Sequence, residues 1–307
     1  MKIFKYIFPI IIIALFILTF TGGPNYFSAR SLREAWNLGH ILLFALLVFW
    51  MQRHWLWYQK KQVLQKIAII MLITLFLSVV IELIQYFFAK GMPDLGDVRR
   101  NVAGALLTFF LTQPISKKWL SQGLIIFVLL WVLLELIPTG RFLYDEFHAR
   151  RQFPVLADFE SDLELTRWSG NDLFQRSAVK VTSGQSALRI TFGTTKYSGI
   201  SLNHFPGDWT GYDTLRYDIF YPGADTLQFT CRIHAREHVR GVQRYADRFN
   251  RRFFLKPGWN AIAIPLQDVQ KAPQDRTMDM KQIMGMGIFT IQLSEPKTIF
   301  LDYVRLE

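Results

Sequence analysis

The chain has 307 residues, a formal net charge of +11 and a single cysteine, Cys231, which excludes an intrachain disulfide. The length admits about two domains. Thirteen Lys and Arg against five acids lie before Arg141, and the rest of the chain is nearly balanced, so the basicity argues against a nucleic-acid partner. Ile, Leu, Phe, Val and Trp dominate up to about Gly140, whereas the sequence from Asp158 onward is polar and Arg-rich. The two halves therefore call for different solvents, and a positive excess confined to the apolar half is what cytoplasmic loops of a membrane protein carry.

Apolar runs occupy 3–20, 36–51, 67–88, 102–111 and 124–137. The first, third and fifth approach the roughly twenty residues needed to cross hydrocarbon. The second and fourth become long enough only when their flanks join them, which draws His40 and Asn101 toward the membrane. Lys2 and Lys5 lie at the start of the first run, Arg53, Lys60, Lys61 and Lys66 follow the second, and Lys117 and Lys118 follow the fourth. The positive-inside rule puts these sites in the cytoplasm, so five spans export the C-terminal half. Trp55, Trp57 and Tyr58 suit an aromatic belt on the inner side, while Arg30, Arg33, Lys90, Arg99 and Arg100 on the outer side run against the rule. A cleaved signal peptide is the alternative reading of the first run, given its basic start and the small residues Ser28 and Ala29.

With that topology the polar residues of the apolar half meet at the outer side: His40 opening the second span, Glu82 and Gln85 closing the third, Asp97 and Asn101 opening the fourth, and Glu135 closing the fifth. Glu82 and Gln85, three apart, share a helical face. An ionisable group at membrane depth costs several kcal/mol without a partner, which marks this set as a candidate site. The bland alternative has Asp97 capping a helix, Glu135 reaching outward and His40 making one interhelical hydrogen bond. A histidine opening one span, E-x-x-Q closing the next and D-x-x-x-N-x-x-G opening the one after resemble the VanZ-like family of bacterial membrane proteins. The matching positions are His40, Glu82 and Gln85, then Asp97, Asn101 and Gly104, within about 36–111. The resemblance implies an envelope-associated protein, one member being linked to teicoplanin resistance, and no established reaction. Family members carry an arginine after the glutamine where this chain has Lys90, Gly91 and Met92, and Thr108 replaces a late glycine. Lys90, or Arg99 and Arg100, are the cations that remain to supply that charge.

Residues 141–154 read as a linker or short juxtamembrane helix between a helical transmembrane domain, 1–140, and an exported domain, 155–307. In the latter, short alternating runs at 178–181, 186–192, 214–221, 227–234, 252–255, 260–264, 287–292 and 298–306 are separated by turn signals such as Ser183-Gly184 and Lys256-Pro257-Gly258. That spacing predicts an all-β, antiparallel jelly-roll sandwich. The strings D-F-E at 158–160, D-W-T-G-Y-D-T-L-R-Y-D-I at 208–219, L-K-P-G-W-N-A-I-A-I-P-L at 255–266 and the final I-F-L-D-Y-V-R-L resemble the galactose-binding-like sandwiches of carbohydrate-binding modules. The resemblance implies a structural calcium bracketed by Asp158, Glu160 and Asp302, a role that needs six or more oxygen ligands.

Sugar recognition uses flat aromatic faces beside planar donors. Trp209, Tyr212, Tyr197 and Tyr245 are the candidate platforms, with Trp168 and Trp259 assigned to the core. Arg232, Arg236 and Arg240 head an arginine- and histidine-rich run through Arg252 that suits an anionic polymer, a phosphate-bearing glycan or lipid headgroups. No phosphate loop, zinc motif or nucleophile elbow occurs. Two functions follow: a membrane-anchored glycan-binding protein of the cell envelope, or an intramembrane enzyme or lipid handler using His40, Glu82 and Asp97 on a lipid-linked or headgroup substrate. A transporter fits poorly with five spans and no inverted repeat.

Overall fold

A computed structural model describes residues 4–20, 23–89, 94–115 and 117–307. The chain divides into two compact units, Met1–Tyr144 and Asp145–Glu307. In the first, α1 (Phe4–Leu18), α2 (Arg30–Asn37), α3 (Gly39–His54), the single turn α4 (Leu56–Gln59), α5 (Val63–Ile84), α6 (Leu95–Thr112) and α7 (Lys118–Gln152) follow one another, and a π-helical turn, Gln85–Ala89, extends α5. Gln62 and Gln65 form a reciprocal capping box that starts α5. Leu43, Phe44 and Val48 of α3 pack with Ile70 and Ile81 of α5 and with Ala105 and Phe109 of α6 in one buried cluster.

Gly104 sets the approach of α3 to α6. A Cβ there would sit 2.2 Å from the Ile41 carbonyl oxygen, so only glycine lets the two backbones touch.

Among the described residues three helical stretches are long and apolar enough to cross a membrane, Arg30–His54, Val63–Phe88 and Lys118–Gln152, rather than the five expected. The shorter apolar helix Ile7–Leu18 falls below spanning length. Helix α6 carries Asp97, Arg99 and Arg100 within its first turns, which lowers its hydropathy although its remainder is apolar. The stretch 141–154 is helical through Gln152 as the end of α7.

In the second unit two antiparallel sheets face each other. One has the order β3 (Leu173–Ser177), β4 (Ala187–Phe192), β11 (Lys297–Leu306), β6 (Thr214–Tyr221) and β9 (Gly258–Pro265), with β1 (Val155–Ala157) also pairing β11. The other has the order β2 (Trp168–Gly170), β5 (Ser198–Leu202), β10 (Ile283–Thr290), β7 (Leu227–Ala235) and β8 (Phe249–Leu255). Side chains alternate along each strand. Ile200, Leu202, Cys231, Ile233, Met286 and Ile288 of the second sheet meet Leu188, Ile190, Tyr217, Ile219, Ile299 and Leu301 of the first in a single core. Burial pushes the Cys231 thiol up to about 12, which makes it an inert core group.

Asp145, on the last turns of α7, belongs to this unit. Arg167 Nε donates to both carboxylate oxygens of Asp145 at 3.0 Å, and its Nη2 donates to Oδ1 at 2.8 Å. Both side chains are almost fully buried, so this bidentate pair fastens the helix end to the sandwich.

Candidate functional site

Helix α6 is capped by Asp94, whose Oδ1 accepts the Gly96 N–H at 2.7 Å. The cap leaves Asp97, one turn in, to side-chain partners. Arg100 Nη1 donates to Asp97 Oδ1 at 2.7 Å, and His40 Nε2 lies 3.4 Å from Asp97 Oδ2. The other imidazole nitrogen, Nδ1, is 3.0 Å from Asn101 Oδ1. Asn101 Nδ2 donates to Ser78 Oγ at 2.9 Å, and Ser78 Oγ donates to the Thr74 carbonyl at 2.7 Å.

The direction of this chain follows from donor arithmetic. Ser78 spends its one hydroxyl proton on Thr74, so it accepts from the amide nitrogen of Asn101 and leaves the amide oxygen facing His40. His40 therefore donates through Nδ1 and turns Nε2 toward Asp97. With the Asn101 amide oxygen at Nδ1 and the Asp97 carboxylate beside Nε2, both ring nitrogens face acceptors, which fixes the orientation of the ring. His40, Asp97 and Gln85 border a cavity of about 480 Å³ that Arg30, Arg33, Glu34 and Trp36 also line.

Gln85 begins the π-helical turn, and its Nε2 donates to the Thr19 carbonyl at 3.0 Å. Glu82 is 9% exposed; its Oε2 accepts the Asp94 N–H at 2.8 Å, and its buried Oε1 has no hydrogen-bond partner. It ties the end of α5 to the start of α6 rather than lining the cavity. Glu135 is buried, taking Arg99 Nε at 2.6 Å, Arg100 Nε at 3.3 Å and Trp131 Nε1 at 3.3 Å. Arg99 and Arg100 thus supply positive charge to the cluster; Lys90 lies outside the described residues. The fold brings His40, Asp97 and Asn101 together, sets Gln85 on the same cavity and adds Thr74 and Ser78. A signal for those two existed: Thr74, Ser78, Glu82 and Gln85 recur at helical spacing along one otherwise apolar helix.

Residues 4–116 match the VanZ/LLP1 family model. The VanZ-like stretch ends before α7, so the Glu135 that neutralises Arg99 and Arg100 comes from outside the matched segment.

In the sandwich the sequence candidates separate. Trp209 is 1% exposed, packed on Phe205 with its backbone N–H bonded to the Met280 carbonyl, so it is a core residue and no platform. Trp259, expected in the core, is exposed and packs edge-on against Phe220 across the β6–β9 register. Asp208, beside Trp209, holds a local turn by accepting from Thr210, which sends the indole inward. Tyr212 is half-buried against Phe153. Tyr197 and Tyr245 are 58% and 67% exposed. Arg232 lies on β7, Arg236 and Arg240 on the short helix Arg236–Arg240 that follows. Arg236 Nη1 donates to Gln282 Oε1 at 3.1 Å, and Arg240 is exposed.

The proposed calcium ligands serve another purpose. Asp302 Oδ2 accepts the Thr182 and Ser183 N–H groups at 2.6 and 3.0 Å and the Thr182 hydroxyl at 2.9 Å, while Oδ1 accepts the Tyr303 N–H at 2.8 Å. Glu160 Oε1 accepts the N–H groups of Gln185 and Ser186 at 2.8 and 2.9 Å. Between these anchors Gly184 has φ +72°, and a Cβ there would meet Glu160 Oε1 at 2.3 Å. Asp158 accepts the Glu160 N–H at 3.2 Å. Four of the six carboxylate oxygens a cation would draw on already accept backbone N–H groups. Among the described residues no cluster of three His, Cys, Asp or Glu is placed to hold a metal, so these residues do not fit calcium.

The sandwich is similar in structure to a family 11 carbohydrate-binding module from Clostridium thermocellum solved with a β-1,3-1,4-mixed-linked tetrasaccharide, at 17% identity and TM-score 0.38 over 50% of this chain and 93% of the module. An exo-β-agarase is similar at 16% identity and TM-score 0.39 over 50% of this chain and 24% of its own. A non-crystalline cellulose-specific module, CBM28, is similar at 15% identity and TM-score 0.34 over 50% of this chain and 93% of its own. No curated protein sequence matches the chain.

Proposed function

We propose that the chain is a membrane protein of the bacterial cell envelope whose VanZ-like unit anchors a glycan-binding sandwich displayed outside the membrane. Helices α1 and α6 complete a five-helix bundle with the three long apolar stretches. With five crossings the two ends of the chain lie on opposite sides, α6 returning the chain to the inner side so that α7 leads outward. The basic residues Arg53, Lys60, Lys61 and Lys66, between α3 and α5, favour the cytoplasm for that connection and hence export of the sandwich.

The observation that carries glycan binding is the outer face of the five-stranded sheet. Gly199, Ser201, Gly285, Gly287, Arg232 and Asn250 make a low, polar floor across β5, β10, β7 and β8, and Tyr197 and Tyr245 stand exposed at this face. Planar donors between exposed rings are what a saccharide's hydroxyls and C–H faces require. Full-length protein in nanodiscs of zwitterionic lipid, titrated with neutral and acidic oligosaccharides, is the test. Binding lost in Tyr197→Ala and Tyr245→Ala supports the reading; a protein that binds no saccharide refutes it.

The second reading is an intramembrane enzyme or lipid handler, favoured by one observation: His40 is oriented by Asn101 and Ser78 toward Asp97 at the edge of a cavity of about 480 Å³. Asp97→Asn and His40→Gln then fail to reverse the envelope phenotype of a deletion strain, including any change in teicoplanin susceptibility, while the protein stays in the membrane. Full complementation by both variants rules catalysis out.

A further inference from the structure

The cavity beside His40 presents two opposite charges that are not spent on each other. Arg33 and Glu34 of α2 both line it and both are half-buried. Among the described residues neither side chain makes an ion pair or a hydrogen bond. Consecutive helical residues point about 100° apart, so the two meet the cavity from different directions and do not face each other. The other charged groups of the lining are engaged in its walls. Asp97 takes Arg100 Nη1 at 2.7 Å, and Arg30, 6% exposed, holds its guanidinium carbon 4.7 Å from the Phe142 ring centre.

An apolar space adjoins this polar one. A groove of about 160 Å³ lies between the end of α1 and the junction of α2 with α3, lined by Leu15, Leu18, Ala35 and Gly39. Thr19, Trp36 and His40 line both spaces, so groove and cavity share a wall. Gly23 fixes that wall: a Cβ there would lie 2.6 Å from Trp36 Nε1, and any larger residue would push the indole out of it. Leu18 is 43% exposed, so the groove opens at the surface of the helical unit.

A charged cavity beside an apolar groove fits an amphiphile, with the headgroup among the charges and the start of a hydrocarbon chain in the groove. The cavity volume, about 480 Å³, falls within the roughly 300–1,000 Å³ of small-ligand sites. One cation and one anion held apart select a headgroup that carries both signs, whereas a purely anionic headgroup would set its charge against Glu34. We infer that the cavity binds a phospholipid bearing a primary ammonium, with its phosphate on Arg33, its ammonium on Glu34 and the first methylenes of an acyl chain along Leu15 and Leu18. Arginine offers phosphate a fork of N–H donors, and a primary ammonium donates to a carboxylate where a quaternary one has no proton to give. The inference rests on the lipid-handling half of the second reading above and names its ligand class.

The test mixes the full chain, purified in a non-ionic detergent, with equal amounts of dioleoyl phosphatidylethanolamine, phosphatidylcholine and phosphatidylglycerol, and counts retained lipid by native mass spectrometry. Phosphatidylethanolamine is retained at least about tenfold over either of the others. Glu34→Gln removes that preference, Glu34→Lys turns it toward phosphatidylglycerol, and Arg33→Gln lowers retention of all three. A Cβ at Gly39 meets nothing within 4 Å, so Gly39→Leu fills the groove without a backbone clash and lowers retention of the lipid at least about threefold. Lys60→Gln, an exposed lysine between α4 and α5, changes retention by less than about twofold. Equal losses in Lys60→Gln and Arg33→Gln mean diffuse attraction and overturn the inference. Equal retention of the three lipids, or preference for phosphatidylglycerol in the parent, overturns it while leaving lipid handling intact. Competition by soluble O-phosphoethanolamine as strong as that by the lipid assigns the cavity to a free headgroup and overturns the lipid assignment. A protein that retains no phospholipid removes the inference and the lipid-handling half together, and complementation by the His40 and Asp97 variants still decides catalysis. Unchanged thermal aggregation of each variant in detergent separates loss of the site from loss of the fold.

Discussion

The two units treat charge in opposite ways. In the helical unit Asp97 meets Arg100, and Glu135 meets Arg99 and Arg100, so the cluster balances itself. On the sandwich's outer sheet face Arg232 and Arg248 are neighbours of the same sign. A low-dielectric surrounding makes an unpaired charge expensive, which forces internal neutralisation. A face open to water can hold like charges at modest cost, and the field it keeps is available to a ligand. Self-sufficient pairing is therefore what the apolar surrounding imposes, whereas a water-facing sheet tolerates arginines of like sign side by side.

The sharpest way to break the comparison is to unpair a charge inside the sandwich, where burial imposes the same rule. Asp145→Ala takes the bidentate partner from Arg167, leaving it the Glu164 carboxylate at 3.8 Å, and lowers unfolding free energy by about 3 kcal/mol, measured by urea denaturation followed through tryptophan fluorescence. An effect under about 1 kcal/mol would mean that the pair is hydrated. In the helical unit, Gly104→Val drives a side chain into the Ile41 carbonyl and costs about 1–3 kcal/mol of helix packing, read as earlier thermal aggregation in detergent.

Glu164 provides a titratable version. Burial and then Asp158 push its carboxyl up to about 7 from an unfolded value near 4.5, although it accepts the Phe159 N–H at 2.6 Å. The folded state then binds the proton more tightly than the unfolded one. Its contribution is fully present below pH 4.5 and is lost as pH rises through about 7. The melting temperature accordingly declines from pH 5 to pH 8 in the parent, and Glu164→Gln flattens the decline by presenting an amide to Asp158. An unaltered slope in that variant would assign the effect to another group. The smallest expected change is from chelator: EDTA leaves the melting temperature unmoved, because Asp302 and Glu160 are satisfied by N–H donors, and a drop would restore calcium to the loop they hold.

Much of the helical site was legible. His40, Gln85, Asp97 and Asn101 stood out because polar groups in apolar runs have few ways to persist. Ser78 and Thr74 passed unnoticed, since a hydroxyl in a membrane helix ordinarily bonds its own backbone, as Ser78 does to the Thr74 carbonyl. Among the described residues two of the five expected spans fall short of spanning length and hydropathy: α1, which is short, and α6, where Asp97, Arg99 and Arg100 interrupt an apolar pattern. In the sandwich, β6, β7 and β11 were visible as alternating runs. Strand β5, Ser-Gly-Ile-Ser-Leu, was not, because its outward positions are small residues that leave room for Phe289 and Arg232. The aromatic platforms were misjudged where a turn decides direction: Trp209 and Trp259 sit in similar local patterns, yet one is buried and the other exposed.

The sequence by itself determined that an apolar helical half precedes a β-rich half, that polar residues punctuate the former and that arginines crowd one stretch of the latter. Periodicity and composition carry that information, being local properties of the chain. Which polar groups touch, which ring faces out and which charges lie side by side were decided by tertiary structure. Those outcomes depend on strands β5, β7, β8 and β10 meeting in register across sequence separations that no local pattern encodes.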